Sequence, residues 1–269
     1  MTYATPSKRH AMNAAAIVSP SPGWQCPPDT LVLGQDEIHV WRSGLDQTPS
    51  RIQSLRQNLT TDEQARAERF HFAKDRGHFI VARGVLRAII GRYLNRAPEH
   101  LPFCYGSHGK PALAGEGDQD SIRFNVSHSH GMALYAVARG REVGVDIERI
   151  RDDLAVAEIA ERFFSPSEIT TLMELPTDLR HHAFFRCWTR KEAYIKARGE
   201  GLSMPLDQFD VSLAPGEPAA ILGSRPDPSE ALRWHLRELT PAPGYAAALA
   251  VEGSGCRLGC WQWPNSCRC

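Results

Sequence analysis

The chain has 269 residues, 42% hydrophobic and 23% charged, with 31 Lys+Arg against 31 Asp+Glu and a formal net charge of +0. That length supports one large domain or two lobes around a sizeable core, and the balanced charge excludes a general polyanion binder, so no nucleic-acid partner is expected. No run of about 18 apolar residues occurs, which excludes a transmembrane helix and predicts no membrane partner.

In chain order, residues 1–28 read as a flexible, Pro-rich lead; the apolar stretch AAAIV is too short for a signal-peptide core, so the expected compartment is the cytoplasm. "TLVLGQDEIHVWRSGLD" (30–46) alternates and predicts a strand or hairpin. Thr60 ahead of Asp62 and Glu63 signals a helix start, with one helix over "TDEQARAERFHF" (61–72) and another over "GHFIVARGVLRAIIGRYL" (77–94). "LPFCYGSHGKPAL" (101–113) is strand or loop. "IRFNVSHSHGMALYAVA" (122–138) reads as two strands, with Ser127 and His128 in the polar break between them. "VGVDIERI" (143–150) is a strand, followed by helices over "LAVAEIAERFF" (154–164), "SPSEITTLMEL" (165–175) and "RHHAFFRCWTRKEAYIKARGEGL" (180–202). The remainder is mostly strand. Strands and helices come in groups, which predicts an α+β fold.

The strand "VGVDIERI" raises a chemical question. With period two, Val143, Val145 and Ile147 point one way and Gly144, Asp146 and Glu148 the other, leaving two carboxylates about 7 Å apart on one face. Like charges that close call for a partner: solvent, an arginine or a cation. On the long predicted helix Phe184, Trp188 and Ile195 mark the buried stripe, Glu192 borders it and Lys191 falls nearly inside it. Glu192 and Lys196, four apart, are either a surface ion pair or part of a charge-balanced cavity. A third carboxylate meeting Asp146 and Glu148 makes a hard oxygen site suited to Mg2+, with Lys191 and Lys196 available to phosphates. Residues 51–100 hold ten Lys/Arg against five Asp/Glu, including Arg66, Arg69, Lys74, Arg76, Arg83 and Arg87; this is a solvated face or a phosphate-holding rim. The cysteine spacing C-x3-C-x6-C-x-C from Cys256 to Cys269 matches no usual zinc pattern, so a final strand and a short tail are expected there.

Taken together, "GKPAL", "FNVSHS", "VGVDIE", "RFFSPSE" and "FFRCWTRKEAYIKARGEGL", in this order, resemble the two-lobed, surfactin-synthetase-activating class of 4'-phosphopantetheinyl transferases over residues 30–263. The resemblance implies two similar α+β lobes related by a pseudo-twofold, residues 29–141 and 142–263, with a 264–269 tail and the active site in the cleft. It implies a monomer that uses coenzyme A and Mg2+ or Mn2+ to load apo acyl, peptidyl or polyketide carrier proteins. Asp146, Glu148 and Glu192 are then the metal carboxylates, with Glu168 a supporting acid. Glu192 or Lys196 is the base, and Lys196 also reaches the pyrophosphate. Lys191 contacts phosphate, while Lys110, Pro111, Ser127 and His128 hold the nucleotide end, with Arg66 and Arg83 as further phosphate contacts. Glu63 stands where the family pattern leads one to expect a lysine. The "PTDLRHHAFF" segment (176–185) is a candidate carrier contact. Two rival readings are another Mg2+-dependent nucleotide phosphotransferase, which predicts a Walker or dinucleotide loop that the sequence lacks, and a non-catalytic carrier-protein adaptor, which predicts a broken acid triad.

Overall fold

The computed structural model describes residues 23–106, 109–115, 121–199 and 204–264. The elements in order are β1 (Glu37–Gly44), α1 (Pro49–Arg56), α2 (Thr61–Ala67), α3 (Ala73–Leu94), β2 (Phe103–Tyr105), β3 (Pro111–Leu113), β4 (Ile122–Ser129), β5 (Met132–Arg139) and β6 (Val143–Arg149). They continue as α4 (Val156–Phe163), α5 (Pro166–Glu174), α6 (Thr177–Arg198), β7 (Phe209–Val211), β8 (Ile221–Ser224), α7 (Glu230–Arg233), β9 (Trp234–Leu239), β10 (Tyr245–Glu252) and β11 (Arg257–Gln262). Helices and strands mix as an α+β fold. None of the described helices is long and apolar enough to cross a membrane.

Two sheets carry the architecture, β11-β1-β5-β4 and β6-β10-β9. Strand alternation gives each sheet two apolar faces. Trp41, Tyr135 and Val137 of the first pack with Val81, Leu86, Ile89 and Ile90 of α3. Ala248, Ala250 and Leu236 of the second pack with Phe184, Tyr194 and Ile195 of α6. The opposite faces meet in a third core, where Ile38, Val40, Leu134 and Ala136 lie with Val143, Val145, Ile147 and Leu249. The long helices α3 and α6, each of 22 residues, therefore flank a double-sheet centre.

Several expectations change in detail. The start signal at Thr60 is a capping box with Glu63, but α2 ends at Ala67, and α1, capped by Thr48, was not anticipated. Ser127 and His128 lie within β4, and the break falls one turn later. His130 and Gly131 both take positive φ (43° and 83°), the two-residue hairpin geometry that joins antiparallel strands with matching twist. The C-terminal strand β11 pairs in parallel with β1, so residues 257–262 belong to the first sheet rather than to a unit beginning at residue 142. Of the predicted lead, Gln25 bridges to Trp261 and Trp24 donates to the Thr240 carbonyl, so its described end is docked; residues 1–22 lie outside the described residues, as do Cys267 and Cys269.

Where the sheets abut, β4 and β6 run parallel and are joined by side chains. Asn125 Oδ1, Ser127 Oγ and Ser129 Oγ accept the backbone N–H groups of Val145 (2.9 Å), Ile147 (3.4 Å) and Arg149 (3.2 Å). Alternate residues of β4 thus stand in for a backbone ladder.

Candidate active site

The polar face of β6 looks onto α6 at very close range. A Cβ built on Gly144 would lie 2.1 Å from the Ala193 carbonyl oxygen and 2.4 Å from the Ala197 nitrogen, so only glycine lets the helix approach there. That approach carries Glu192 and Lys196, on the sheet-facing side of α6, up to the next two positions of the strand.

The Lys196 ammonium sits 2.6 Å from Asp146 Oδ1 and donates to Ser127 Oγ at 3.0 Å. Ser127 in turn donates to Asp146 Oδ1 at 2.8 Å, and Ser129 donates to Glu148 Oε2 at 2.7 Å. Asp146 is buried, 3% exposed, and among the described residues its Oδ2 has no hydrogen-bond partner. Glu148 and Glu192 are half-buried. Desolvation, and behind it repulsion from Asp146, holds the Glu192 carboxyl above its ordinary value, with Glu148 adding to the repulsion and Lys196 opposing it. Glu148 is raised first by desolvation and also by Asp146, against the lowering effect of the Ser129 hydrogen bond. The three carboxylates thus repel one another, and Asp146 contributes a buried oxygen without a hydrogen-bond partner among the described residues. Among the described residues no three His, Cys, Asp or Glu side chains stand close enough together, as placed, to hold a metal ion. The donor set nevertheless fits a hard divalent cation, which would satisfy Oδ2 and relieve the repulsion.

His128 follows Ser127 on β4. Desolvation and the nearby Lys196 ammonium push its imidazole below the usual value. Lys110 leaves the β2–β3 hairpin and reaches the end of α6, donating to the Ala197 carbonyl and to Glu142, each at 3.3 Å. Pro111 follows it, buried in β3. Arg66 and Arg83 stay with the N-terminal half. Arg66 lies over the Phe79 ring, and Arg83 lies over Tyr105 and Phe103 with its Nε 3.5 Å from Glu63. Glu63 is buried in an ion pair with Arg87 at 2.5 Å, so the acid in place of an expected lysine holds α2 onto α3.

Two expectations are corrected. Lys191 does not face a phosphate site: its side chain is fully buried, and its ammonium is taken by Glu168 (2.8 Å) and the carbonyls of Leu206 (2.7 Å) and Phe209 (2.6 Å). Glu168 is not beside the site acids. It closes the capping box of α5 with Ser165 and accepts the Val211 N–H, so the pair ties α5, α6 and β7 together inside the C-terminal core. Residues three and four along a helix face the same way, but Lys191 is one step round from Glu192 and points into the apolar stripe. Sequence reasoning missed Asn125 and Ser129; their signal was a period-two run of small polar residues in an otherwise apolar strand.

Beside Glu148 lies a cavity of about 280 Å3 lined by Leu154, Phe184, Phe185 and Trp188, with Arg151 at its edge.

The sequence comparisons meet this geometry. Residues 142–250 match the 4'-phosphopantetheinyl transferase superfamily, and residues 45–139 match the 4'-phosphopantetheinyl transferase N-terminal family. The chain is 40% identical over 240 residues to the 4'-phosphopantetheinyl transferase HetI of Nostoc sp., covering 89% of this chain and 98% of that protein. It is 30% identical over 155 residues to the transferase Sfp of Bacillus subtilis, covering 58% of this chain and 66% of the relative. Among solved structures, it is similar to the Helicobacter pylori holo-[acyl-carrier-protein] synthase in complex with coenzyme A, at TM-score 0.32 and 23% identity over 41% of this chain and 99% of that one. The chain belongs to the 4'-phosphopantetheinyl transferase family, enzymes that move the phosphopantetheine arm of coenzyme A onto a carrier protein.

Proposed function

We propose that this chain loads the serine of an apo acyl, peptidyl or polyketide carrier protein in a Mg2+-dependent phosphoryl transfer, working as a cytoplasmic monomer. Its two α+β lobes are read as pseudo-twofold related with the site between them. The abutting family matches at 45–139 and 142–250 and the paired 22-residue helices support that reading. The five described cysteines are free thiols, which suits a reducing compartment.

The observation that carries the proposal is the seating of α6 against β6, with Lys196 on Asp146 Oδ1, Glu192 coupled by like charge to Asp146 and Glu148, and Asp146 Oδ2 buried without a hydrogen-bond partner among the described residues. Asp146, Glu148 and Glu192 would hold the cation, which when bound neutralises charge on the pyrophosphate. Glu192, through the carboxylate oxygen that the cation would leave free, accepts the proton of the carrier serine hydroxyl. The serine oxygen forms a bond to the β-phosphorus of coenzyme A as the bond to the bridging oxygen breaks, and 3',5'-adenosine bisphosphate leaves with the electron pair. Lys196, held by Asp146 and Ser127, offers its ammonium to the leaving phosphate, so it acts as a cation rather than as the base. His128 and Lys110 hold the nucleotide end. The apolar cavity at Phe184 and Phe185, within the 176–185 segment, is the expected landing place for the carrier.

The test is a mass measurement. An apo carrier mixed with coenzyme A, Mg2+ and the enzyme gains about 340 Da, the appended arm. Asp146→Ala, or excess chelator, abolishes the gain. Full transfer by Asp146→Ala, or in chelator, refutes the metal assignment.

A further inference from the structure

The polar run Asn125, Ser127, Ser129 does more than join two strands. A hydroxyl carries one hydrogen and two acceptor lone pairs. Ser127 Oγ receives the Ile147 N–H and the Lys196 ammonium, so its hydrogen is left for Asp146 Oδ1. Ser129 Oγ receives the Arg149 N–H, stands 3.1 Å from His130 Nδ1, and has Glu148 Oε2 at 2.7 Å for its own hydrogen. The same arrangement thus repeats two residues along the strand, each serine tying one β6 N–H and the carboxylate just before it. Asn125 holds the equivalent place beside Gly144, where β6 bears no carboxylate, and its oxygen receives the Val145 N–H.

We propose that Ser129 is a positioning residue that fixes the Glu148 carboxylate for the divalent cation, as Ser127 fixes Asp146. The strand junction itself then sets the separation of two ligands. A carboxylate already held by a hydroxyl loses less freedom when it takes up a cation. The inference rests on the metal reading above.

The experiment measures Mn2+ binding to the full chain by electron paramagnetic resonance, without coenzyme A or carrier, with carrier loading followed in parallel. Ser129→Ala is expected to weaken Mn2+ binding about 10-fold, the usual scale for removing a group that orients a metal ligand. Ser129→Thr keeps the hydroxyl and restores most of the affinity. Asn125→Ala removes a strand-joining oxygen that touches no carboxylate, so it lowers the melting temperature while Mn2+ affinity stays within about twofold. In a Glu148→Gln background, Ser129→Ala has no added effect. The proposal is overturned if Ser129→Ala binds Mn2+ as tightly as the parent, or if Asn125→Ala weakens binding equally. Loss of binding in Asp146→Asn without loss in Ser129→Ala removes this proposal alone; parent-like binding in Asp146→Asn removes the metal reading and this proposal with it.

Discussion

Gly144→Ala tests the close approach of α6 to β6, on which the site depends. The added methyl carbon would sit 2.1 Å from a backbone oxygen of α6, about 1 Å inside the 3.0 Å that real Cβ contacts respect, and 2.4 Å and 2.9 Å from two atoms of Ala197. These are backbone atoms, so no side chain can turn aside and the helix must move away as a body. Overpacking of this kind costs about 1–3 kcal/mol of stability. A retreat of about 1 Å would also stretch the Lys196–Asp146 contact from 2.6 Å and draw Glu192 back from both β6 acids. Misplacement on that scale lowers turnover about 100-fold. Thermal denaturation and the carrier mass assay read the two effects separately. A variant with the parent's melting temperature and turnover would refute the claim that α6 is seated against a bare backbone.

Further predictions concern charge. Lys191→Met leaves Glu168 buried and unpaired, so urea denaturation should show a loss of about 3–5 kcal/mol, while kcat/KM of the folded fraction is unchanged; a selective loss of coenzyme A binding would instead return Lys191 to the phosphate site. Glu192 has a folded-state pKa above its ordinary 4.5, so the stability it contributes is fully present at low pH and is lost as pH rises through the raised value. In chelator, Glu192→Gln should therefore gain in melting temperature over the parent as pH climbs above 4.5, and a gain that shrinks with pH would contradict the assignment. His128→Ala should raise KM for coenzyme A about 10-fold or more with kcat little changed, the signature of lost uniform binding, and dephospho-coenzyme A should be insensitive to the change.

Local chemistry made a large share of this protein readable in one dimension. The helix starts at Thr60 and Ser165, the helical stripe of α3 and the apolar face of Val143, Val145 and Ile147 on β6 depend on neighbours within a few residues, and all appear as expected. The motif pair around Asp146 and Glu192 was visible for the same reason. Long-range pairing was not. That β11 returns to lie beside β1, some 220 positions away, leaves no periodic trace, because any alternating strand presents the same edge groups to any partner. The lysines of α6 show the limit most clearly. Lys191 and Lys196 look alike in a string of letters, yet one is locked inside a core by Glu168 and two carbonyls and the other lies against Asp146. A rotation about the helix axis decides between those fates, and that rotation is set by where the bare backbone of Gly144 lets the helix rest.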